Sequence, residues 1–144
     1  MKIYFCGSIR GGRELVHRYE LIIGMLGKYG KVLTEHVGSD HVIQTKDRQL
    51  SDREIHDRDL GWIVESDVLV AEVTVPSLGV GYEIGRALEM GKPILCLFDA
   101  GTGKPLSAMV AGSEKLMTKR YKETAELEAF LEEFFTSHAP RRIS

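Results

Sequence analysis

Short apolar runs alternate with longer amphipathic stretches along the chain, and this alternation predicts its secondary structure. Runs of about four to eight apolar, β-branched residues are typical of buried strands, whereas apolar positions three and four residues apart are typical of helices. These patterns predict strands at 2–6, 31–35, 67–73, 94–98 and 115–121. Five helices are predicted between and after these strands. The first ends near Gly30, the second covers 51–65, the third reaches Met90, the fourth lies around 106–110 and the fifth covers 124–137.

Strands that alternate with helices favour right-handed βαβ units and a mostly parallel sheet covered by helices on both faces. We therefore predict an α/β fold, with one doubly wound domain whose five-stranded, mostly parallel sheet has a Rossmann-like or flavodoxin-like strand order. The domain is predicted to span 1–137, and the tail 138–144 to be frayed. The polar stretch 36–50 has no regular pattern and is long enough to form a lid or a binding loop.

Composition narrows the class of protein without identifying a function. The 144 residues carry a formal net charge of −2, which offers no electrostatic basis for binding a nucleic-acid polymer or an anionic membrane. Cys6 and Cys96 both lie in apolar, strand-like runs, so buried free thiols are expected rather than a disulfide or a metal site. No signal region and no segment of transmembrane length is found, so we expect a cytoplasmic protein, or a nuclear one in a eukaryote.

The segment 76–87 connects an apolar strand to a helix and carries the first candidate catalytic residue. Two glycines allow a tight turn after the strand 67–73, which places Glu83 near the start of the helix at the carboxyl edge of the sheet. Ligands bind at this edge in open α/β sheets. The helix dipole stabilises a carboxylate there, so Glu83 is expected to be ionised and able to act as a nucleophile in glycosyl transfer. The alternative is a glutamate that only complements the helix dipole.

The helix predicted at 51–65 carries a second candidate, Asp59. This residue shares its helical face with three apolar residues, Ile55, Trp62 and Ile63. Desolvation on an apolar face favours the protonated, proton-donating form of a carboxyl group. A protonated acid beside an ionised carboxylate is the arrangement used in glycoside cleavage. The alternative is a buried aspartate that hydrogen-bonds to the backbone.

The segment 7–13 follows the first strand and contains three glycines together with Ser8, Arg10 and Arg13. It matches neither a P-loop nor the dinucleotide-binding GxGxxG pattern. Its backbone N–H groups, hydroxyl, guanidinium and helix N-terminus suit a phosphate monoester or a similar anion. A flexible turn with a solvated arginine is the alternative.

Other polar residues of the loops allow several interpretations. His36 and His41 lie in one loop without a cysteine or second carboxylate at ligand spacing, so no metal site is predicted, and His36 is a loop residue or a substrate contact. Ser107 lies at the start of a short helix, where it is either an N-cap or a ligand contact. A serine hydrolase is set aside because neither Ser8 nor Ser77 stands in a G-x-S-x-G motif.

Several segments together resemble the 2′-deoxynucleoside 5′-phosphate N-hydrolases of the nucleoside 2-deoxyribosyltransferase superfamily. The resemblance rests on YFCGSIRGGR at 4–13, VLTEH at 32–36, DL at 59–60, AEVT at 71–74, PSLGVGYE at 76–83 and LSAM at 106–109. It does not extend to 38–50 or beyond Gly112, so it implies no preference for a particular base.

The resemblance implies a role for each matching position. Glu83 is implied as the nucleophile that attacks C1′ and forms a deoxyribosyl-enzyme ester, Asp59 as the acid that assists the leaving base, and Tyr4 as a residue beside the nucleophile. Ser107 is implied as a phosphate contact donated by the neighbouring subunit of a homodimer, and no cofactor is implied. The remaining implied substrate-binding residues are Gly7, Ser8, Ile9, Arg10, His36, Ser77, Gly79 and Met109.

The implied reaction hydrolyses the N-glycosidic bond of 2′-deoxynucleoside 5′-monophosphates to 2-deoxyribose 5-phosphate and a free purine or pyrimidine base. Two alternatives stay open at this point. One is a nucleoside 2-deoxyribosyltransferase that passes the sugar to an acceptor base, and the other is a non-catalytic nucleotide-binding sensor. Dominant base exchange would favour the transferase, and tight binding without base release would favour the sensor.

Overall fold

Five parallel strands form the centre of this computed structural model, which describes residues 1–9, 13–34 and 49–139. The strands are β1 (Lys2–Gly7), β2 (Lys31–Val32), β3 (Val68–Glu72), β4 (Ile94–Asp99) and β5 (Met117–Tyr121). They lie in the order β2-β1-β3-β4-β5, and each neighbouring pair is parallel. This is the flavodoxin-like order of a doubly wound fold, so the predicted α/β architecture is confirmed.

Helices cover both faces of the sheet. The described helices are α1 (Arg13–Leu26), α2 (Asp52–Glu65), α3 (Leu78–Glu89), the single turn α4 (Ala108–Ala111) and α5 (Thr124–Ser137). One hydrophobic core lies where α1 and α5 pack on the sheet, and a second lies where α2 and α3 pack on the opposite face. Side chains of β1 alternate between the two cores, so Phe5 faces α1 and α5, whereas Tyr4 and Cys6 face α2 and α3. None of these helices is long and apolar enough to cross a membrane.

Strand β2 is shorter than its apolar pattern predicts. It pairs with β1 only at Lys31 and Val32, and the chain then turns. The Thr34 hydroxyl accepts a hydrogen bond from the Phe5 N–H at 2.8 Å and donates one to the Phe5 carbonyl at 2.6 Å. A side chain thus satisfies the β1 backbone where a longer β2 would otherwise do so. Most of the loop predicted at 36–50 lies outside the described residues.

The ends of the helices follow local capping rules. Ser51 caps α2 by accepting a hydrogen bond from the Glu54 N–H at 3.2 Å. Helix α5 covers the residues predicted for it, and the backbone N–H of His138 bonds to the Phe134 carbonyl at its end. His138 is therefore part of the helix cap, while the rest of the predicted frayed tail lies mostly outside the described residues.

The carboxyl ends of β1 and β3 lie side by side at the point where the strand order reverses. Gly7 pairs with Glu72 at this edge of the sheet. After β1 the chain moves to one side of the sheet, and after β3 it moves to the other, so the two following loops diverge. Doubly wound folds bind ligands in the crevice that such diverging loops leave.

Candidate active site

A cleft of about 560 Å³ opens at the carboxyl edge of β1 and β3. Its walls come from β1 and the turn after it, from Thr34, from α2, and from the segment that links β3 to α3. Eight of the residues predicted from the sequence line this cleft: Tyr4, Gly7, Ser8, Ile9, Asp59, Ser77, Gly79 and Glu83. The fold thus brings residues from three distant parts of the chain together at one edge of the sheet.

Glu83 lies deeper in its helix than the sequence pattern suggests. Ser77 is the N-cap of α3, and its hydroxyl accepts a hydrogen bond from the Val80 N–H at 3.3 Å, so Glu83 is in the second turn. The effect of a helix dipole on a charge falls off within the first turn. The expectation that the dipole keeps Glu83 ionised is therefore wrong, and the groups packed around it decide its protonation.

Burial, and after it the negative charge of Asp59, raise the pKa of Glu83 from 4.5 to about 7. Hydrogen bonds from the Cys6 thiol and the Tyr4 hydroxyl act in the opposite direction and stabilise the carboxylate. Among the described residues, Oε2 of Glu83 is a buried oxygen without a hydrogen-bond partner. A buried carboxylate oxygen of this kind, in a side chain that lines a cleft, is open to a bound ligand.

The raised pKa predicts that Glu83→Gln makes the protein more stable at pH 8 than the wild type. The folded state binds the Glu83 proton more tightly than the unfolded state, so the wild type loses stability as the pH rises from 4.5 through 7. The glutamine variant does not titrate, and its advantage above pH 7 is at most roughly 3.5 kcal/mol, since the pKa shifts from 4.5 to about 7 and one pKa unit corresponds to about 1.4 kcal/mol. Midpoints of thermal unfolding at pH 5 and pH 8 measure this effect. A difference between the two proteins that does not grow with pH contradicts it.

Asp59 lies beside a cation, the guanidinium of Arg58. Nη2 and Nε of Arg58 each lie 3.0 Å from Oδ1 of Asp59, and the guanidinium stacks over Trp62 at 4.8 Å from the ring centroid. A guanidinium at this distance favours the ionised form of a carboxyl group. The neutral Asp59 expected from the sequence stays a prediction, whereas the raised pKa of Glu83 means that Glu83 holds a proton below pH 7. Helical spacing places Arg58 on another face of α2, but its long side chain reaches back to Asp59.

Tyr4 and Cys6 act together on Glu83 because residues two apart in a strand share a face. Burial and the charge of Glu83 raise the pKa of both groups, so both stay protonated as hydrogen-bond donors. Cys6 is a buried free thiol, as predicted, but its place in the cleft was missed. The alternation of β1, which already pairs Cys6 with Tyr4, was the signal that could have found it.

Backbone groups form the part of the cleft wall predicted to bind an anion. The turn at Gly7, Ser8 and Ile9 lines the cleft together with Ser77, which caps α3. Gly7 is required here because a Cβ atom would lie 2.5 Å from Cζ of Tyr19. A helix N-terminus in the wall of a cleft suits a negatively charged group. Arg10 lies outside the described residues.

Ser107 and Met109 do not line the cleft. Ser107 instead lines an adjoining groove of about 290 Å³, whose wall also includes Ser77 and Leu78. Ser107 occupies the N-cap position of α4, but its hydroxyl makes no capping hydrogen bond. Met109 is 85% exposed on α4. His36, like Arg10, lies outside the described residues.

A smaller pocket of about 190 Å³ adjoins the cleft at the two carboxyl groups. It is lined by Asp59 and Glu83 and continues between α2 and α3 to His56 and Tyr82. Nε2 of His56 lies 2.8 Å from the Tyr82 hydroxyl. A ligand bound at the carboxyl pair can therefore extend into the cleft on one side of the pair and into the smaller pocket on the other. Within the described part of the chain, no group of three potential metal ligands lies together.

Comparison with known proteins gives one consistent match. The sequence model of the nucleoside 2-deoxyribosyltransferase family matches residues 3–124 of this chain. The 5-hydroxymethyl-dUMP N-hydrolase of Danio rerio is 54% identical over 138 residues, which are 94% of this chain and 96% of that protein. The protein of the same name from Homo sapiens is 46% identical over an alignment of 146 positions, which covers 99% of this chain and 83% of that protein.

Two solved structures share the fold. A CMP N-glycosidase of Clostridium botulinum superimposes with a TM-score of 0.68 at 20% identity, covering 93% of this chain and 99% of that one. A 2-deoxyribosyltransferase of Bacillus psychrosaccharolyticus superimposes with a TM-score of 0.61 at 19% identity, covering 89% and 90%. At these identities the two structures establish the architecture alone.

Proposed function

The chain belongs to the nucleoside 2-deoxyribosyltransferase family, and we propose that it hydrolyses the N-glycosidic bond of 2′-deoxynucleoside 5′-monophosphates. The observation that carries this proposal is the carboxyl pair of Glu83 and Asp59 in one cleft, with the pKa of Glu83 at about 7. Cleavage needs a nucleophile for C1′ and a proton for the leaving base. A pair that holds one proton near neutral pH can supply both.

In the first step, Glu83 attacks C1′ and forms an ester, and the electron pair of the C1′–N bond leaves with the base. The sugar ring is positively charged in the transition state, and the two carboxylates stabilise that charge. The developing cation also weakens the hold of Glu83 on its proton, which passes to Asp59 and from there to the base. A 2′-hydroxyl would withdraw electrons from this cation, so a 2-deoxy sugar reacts more readily.

In the second step, water hydrolyses the ester. Its oxygen bonds to C1′, the bond between C1′ and Glu83 breaks with its electron pair returning to the carboxylate, and Asp59 accepts the proton of the water. The products are the free base and 2-deoxyribose 5-phosphate. Throughout both steps, Tyr4 and Cys6 keep the Glu83 carboxylate in position through their hydrogen bonds.

The substrate is oriented by its two ends. We assign the 5′-phosphate to the turn at Gly7, Ser8 and Ile9 and to the N-terminus of α3 at Ser77, because these supply backbone N–H groups and positive partial charge. The base then lies toward Asp59 and the smaller pocket. Since the relatives are 5-hydroxymethyl-dUMP N-hydrolases, we propose 5-hydroxymethyl-dUMP as the first substrate to test.

The position of Ser107 supports a homodimer in which it completes the site of the neighbouring subunit. Leu78 and Met109 are 97% and 85% exposed, and large exposed apolar side chains beside a groove mark an interaction surface. Ser77 lines both its own cleft and this groove, so a partner docked in the groove would lie next to the phosphate.

Ser107→Ala is expected to raise KM for a deoxynucleoside monophosphate roughly 10- to 100-fold, because a hydrogen bond to a charged group contributes about 1.5 to 3 kcal/mol. KM for the matching nucleoside should not change. Mixed dimers test the donation across the interface: a Glu83→Gln subunit paired with a Ser107→Ala subunit contains one intact site only if Ser107 crosses. Base release at low substrate should then exceed the average of the two parent proteins. Activity equal to that average contradicts the donation of Ser107 across the interface. Equal losses of activity on the nucleotide and on the nucleoside contradict a role of Ser107 in phosphate binding.

The proposed function is tested by a panel of deoxy- and ribonucleoside monophosphates and the matching nucleosides, assayed for released base. Hydrolysis yields free base and 2-deoxyribose 5-phosphate in equal amounts from the deoxynucleotides. Addition of a second base distinguishes transfer, since dominant base exchange would identify a deoxyribosyltransferase. Tight binding without any release of base would identify a nucleotide sensor.

We propose a cytoplasmic or nuclear location for the protein. Cys6 and Cys96 are both free and buried, as is typical of a reducing compartment.

A further inference from the structure

A cluster of charged and phenolic groups lies on the opposite face of the sheet from the carboxyl pair and has no part in the reaction above. Glu72 ends β3, and its side chain is completely buried. Arg18 of α1, Asp99 of β4 and Tyr121 of β5 surround it, and these four residues are termed the Glu72 cluster. Its members come from four elements, and its three strand residues end their strands at the carboxyl edge.

Each member of the cluster has a defined partner. Oε1 of Glu72 accepts a hydrogen bond from the Thr74 N–H at 2.6 Å, and Oε2 accepts one from the Tyr121 hydroxyl. Nη1 of Arg18 lies 3.6 Å from Oε2 of Glu72, and Nη2 lies 2.7 Å from Oδ2 of Asp99. Burial and the charge of Glu72 raise the pKa of Tyr121, so its phenol stays a donor.

The cluster holds the loop that follows β3. Glu72 bonds to the backbone of Thr74, and the Thr74 hydroxyl accepts a hydrogen bond from the Asp99 N–H at 2.9 Å. Farther along the same segment, Ser77 lines the cleft and caps α3. The position of the N-terminus of α3 at the cleft therefore depends on contacts made behind it by Glu72 and Asp99.

The helix that supplies Arg18 also holds the loop that follows β1. Tyr19, the next residue of α1, donates a hydrogen bond from its hydroxyl to the Ser8 carbonyl at 3.0 Å. Its ring lies directly against Gly7, which pairs with Glu72 across the sheet. Arg18 and Tyr19, which are adjacent in α1, therefore connect the loops after β1 and β3 to the buried carboxylate of Glu72.

Charge explains why an arginine stands at this point. A carboxylate behind a loop that binds an anion would oppose the phosphate, and a buried charge is costly unless it is paired. Arg18 lies between the carboxylates of Glu72 and Asp99 and offsets their charge where the two loops begin.

We propose that the Glu72 cluster is a positioning site that sets the spacing of the two loops that bind the phosphate. The proposal rests on the proposed function in one respect, that a 5′-phosphate lies between Ser8 and Ser77. None of the four residues lines the described cleft, so their effect should fall on phosphate binding rather than on cleavage of the bond.

Tyr121→Phe tests this role, because it removes the hydroxyl that donates to Glu72 and keeps the ring and all the charges. We expect KM for the deoxynucleoside monophosphate to rise about 5-fold or more, as a charged hydrogen bond is lost. Both kcat and the kcat/KM of the matching nucleoside should stay within roughly 2-fold. Phe134→Leu is the matched control, because it reduces the core shared by α1 and α5 and removes no hydrogen bond or ion pair of the cluster. It should lower the midpoint of thermal unfolding and leave both KM values unchanged.

Two outcomes overturn the proposal: a Tyr121→Phe variant that only loses thermal stability, as the control does, or one that loses activity equally on nucleotide and nucleoside. If Tyr121→Phe does not fold, Arg18→Lys replaces it, since lysine keeps the charge but not the contact with both carboxylates, and the same nucleotide-specific rise in KM is expected. Base release by the wild type distinguishes failure of the proposed function from failure of the role proposed for the cluster. No base release from any deoxynucleotide contradicts the proposed function, whereas an active wild type with unchanged KM values in the variant contradicts only the role of the cluster.

Discussion

Glu83→Gln is expected to reduce base release by a factor of roughly 10⁴ or more while the deoxynucleotide still binds. Glutamine has nearly the same shape, so it keeps the packing of α3, but its amide cannot form the ester with C1′. Loss of a nucleophile costs factors of this order in enzymes that use one. Single-turnover base release measures the first part and equilibrium binding of the same nucleotide the second. Mass spectrometry of the wild type with a slow substrate should show a deoxyribosyl adduct that the variant lacks.

Glu89→Gln is the matched control for this experiment. Glu89 is exposed at the C-terminal end of the same helix, so the same chemical change is made outside the cleft and full activity is expected. A Glu83→Gln variant as active as Glu89→Gln would remove Glu83 from the mechanism. Loss of binding together with activity would instead assign Glu83 to the shape of the site.

Asp59→Asn is expected to slow base release by about 10²- to 10⁴-fold, the range of general acid–base catalysis. Asparagine can neither receive the proton of Glu83 nor pass one to the base, so bases that leave poorly should be slowed most. Rates for several bases of different basicity measure this dependence. A small effect of equal size on all bases would leave Asp59 only the structural role of binding Arg58.

The same variant should shift the pH dependence. In the wild type, kcat/KM should fall as the pH rises through about 7, because Glu83 then loses the proton that the proposed mechanism delivers to the base. The negative charge of Asp59 is one cause of that raised pKa, so its removal should move this basic limb to lower pH. Glu65→Gln is the control, since Glu65 is exposed at the C-terminal end of the same helix and pairs with Lys2. A limb that stays in place in Asp59→Asn would show that the two carboxyl groups do not interact.

Periodic patterns predicted the strands and helices well because burial follows the period of each element. The helix predicted at 124–137 is Thr124–Ser137, and the strand predicted at 94–98 is Ile94–Asp99. The second strand was predicted too long, since an apolar pattern does not show that Thr34 bonds to β1 through its side chain. A hydrogen bond between a side chain and a distant backbone group leaves no periodic signal.

The site was predictable to the extent that topology alone decides it. Parallel strands present their carboxyl ends at one edge, which is why Gly7, Ser8, Ser77 and Glu83 could be placed together before any coordinates. The contact of Arg58 with Asp59 was not predicted because helical spacing locates a Cα atom but not the end of a long side chain. The Glu72 cluster was missed because its members lie on four elements that are distant in the sequence and meet only in the folded protein.

The amino-acid sequence by itself determined the alternation of strands and helices, the parallel α/β fold and the residues that carry the candidate chemistry. These depend on the spacing of apolar, polar and glycine residues along the chain, which can be read directly from the sequence. Only the tertiary structure decided that Glu83 holds a proton below pH 7. Burial of Glu83, the nearby charge of Asp59 and the contact of Arg58 with Asp59 are set by packing between β1, α2 and α3, and a pKa responds to distances in space. For the same reason, only the structure placed Ser107 in a groove outside its own cleft.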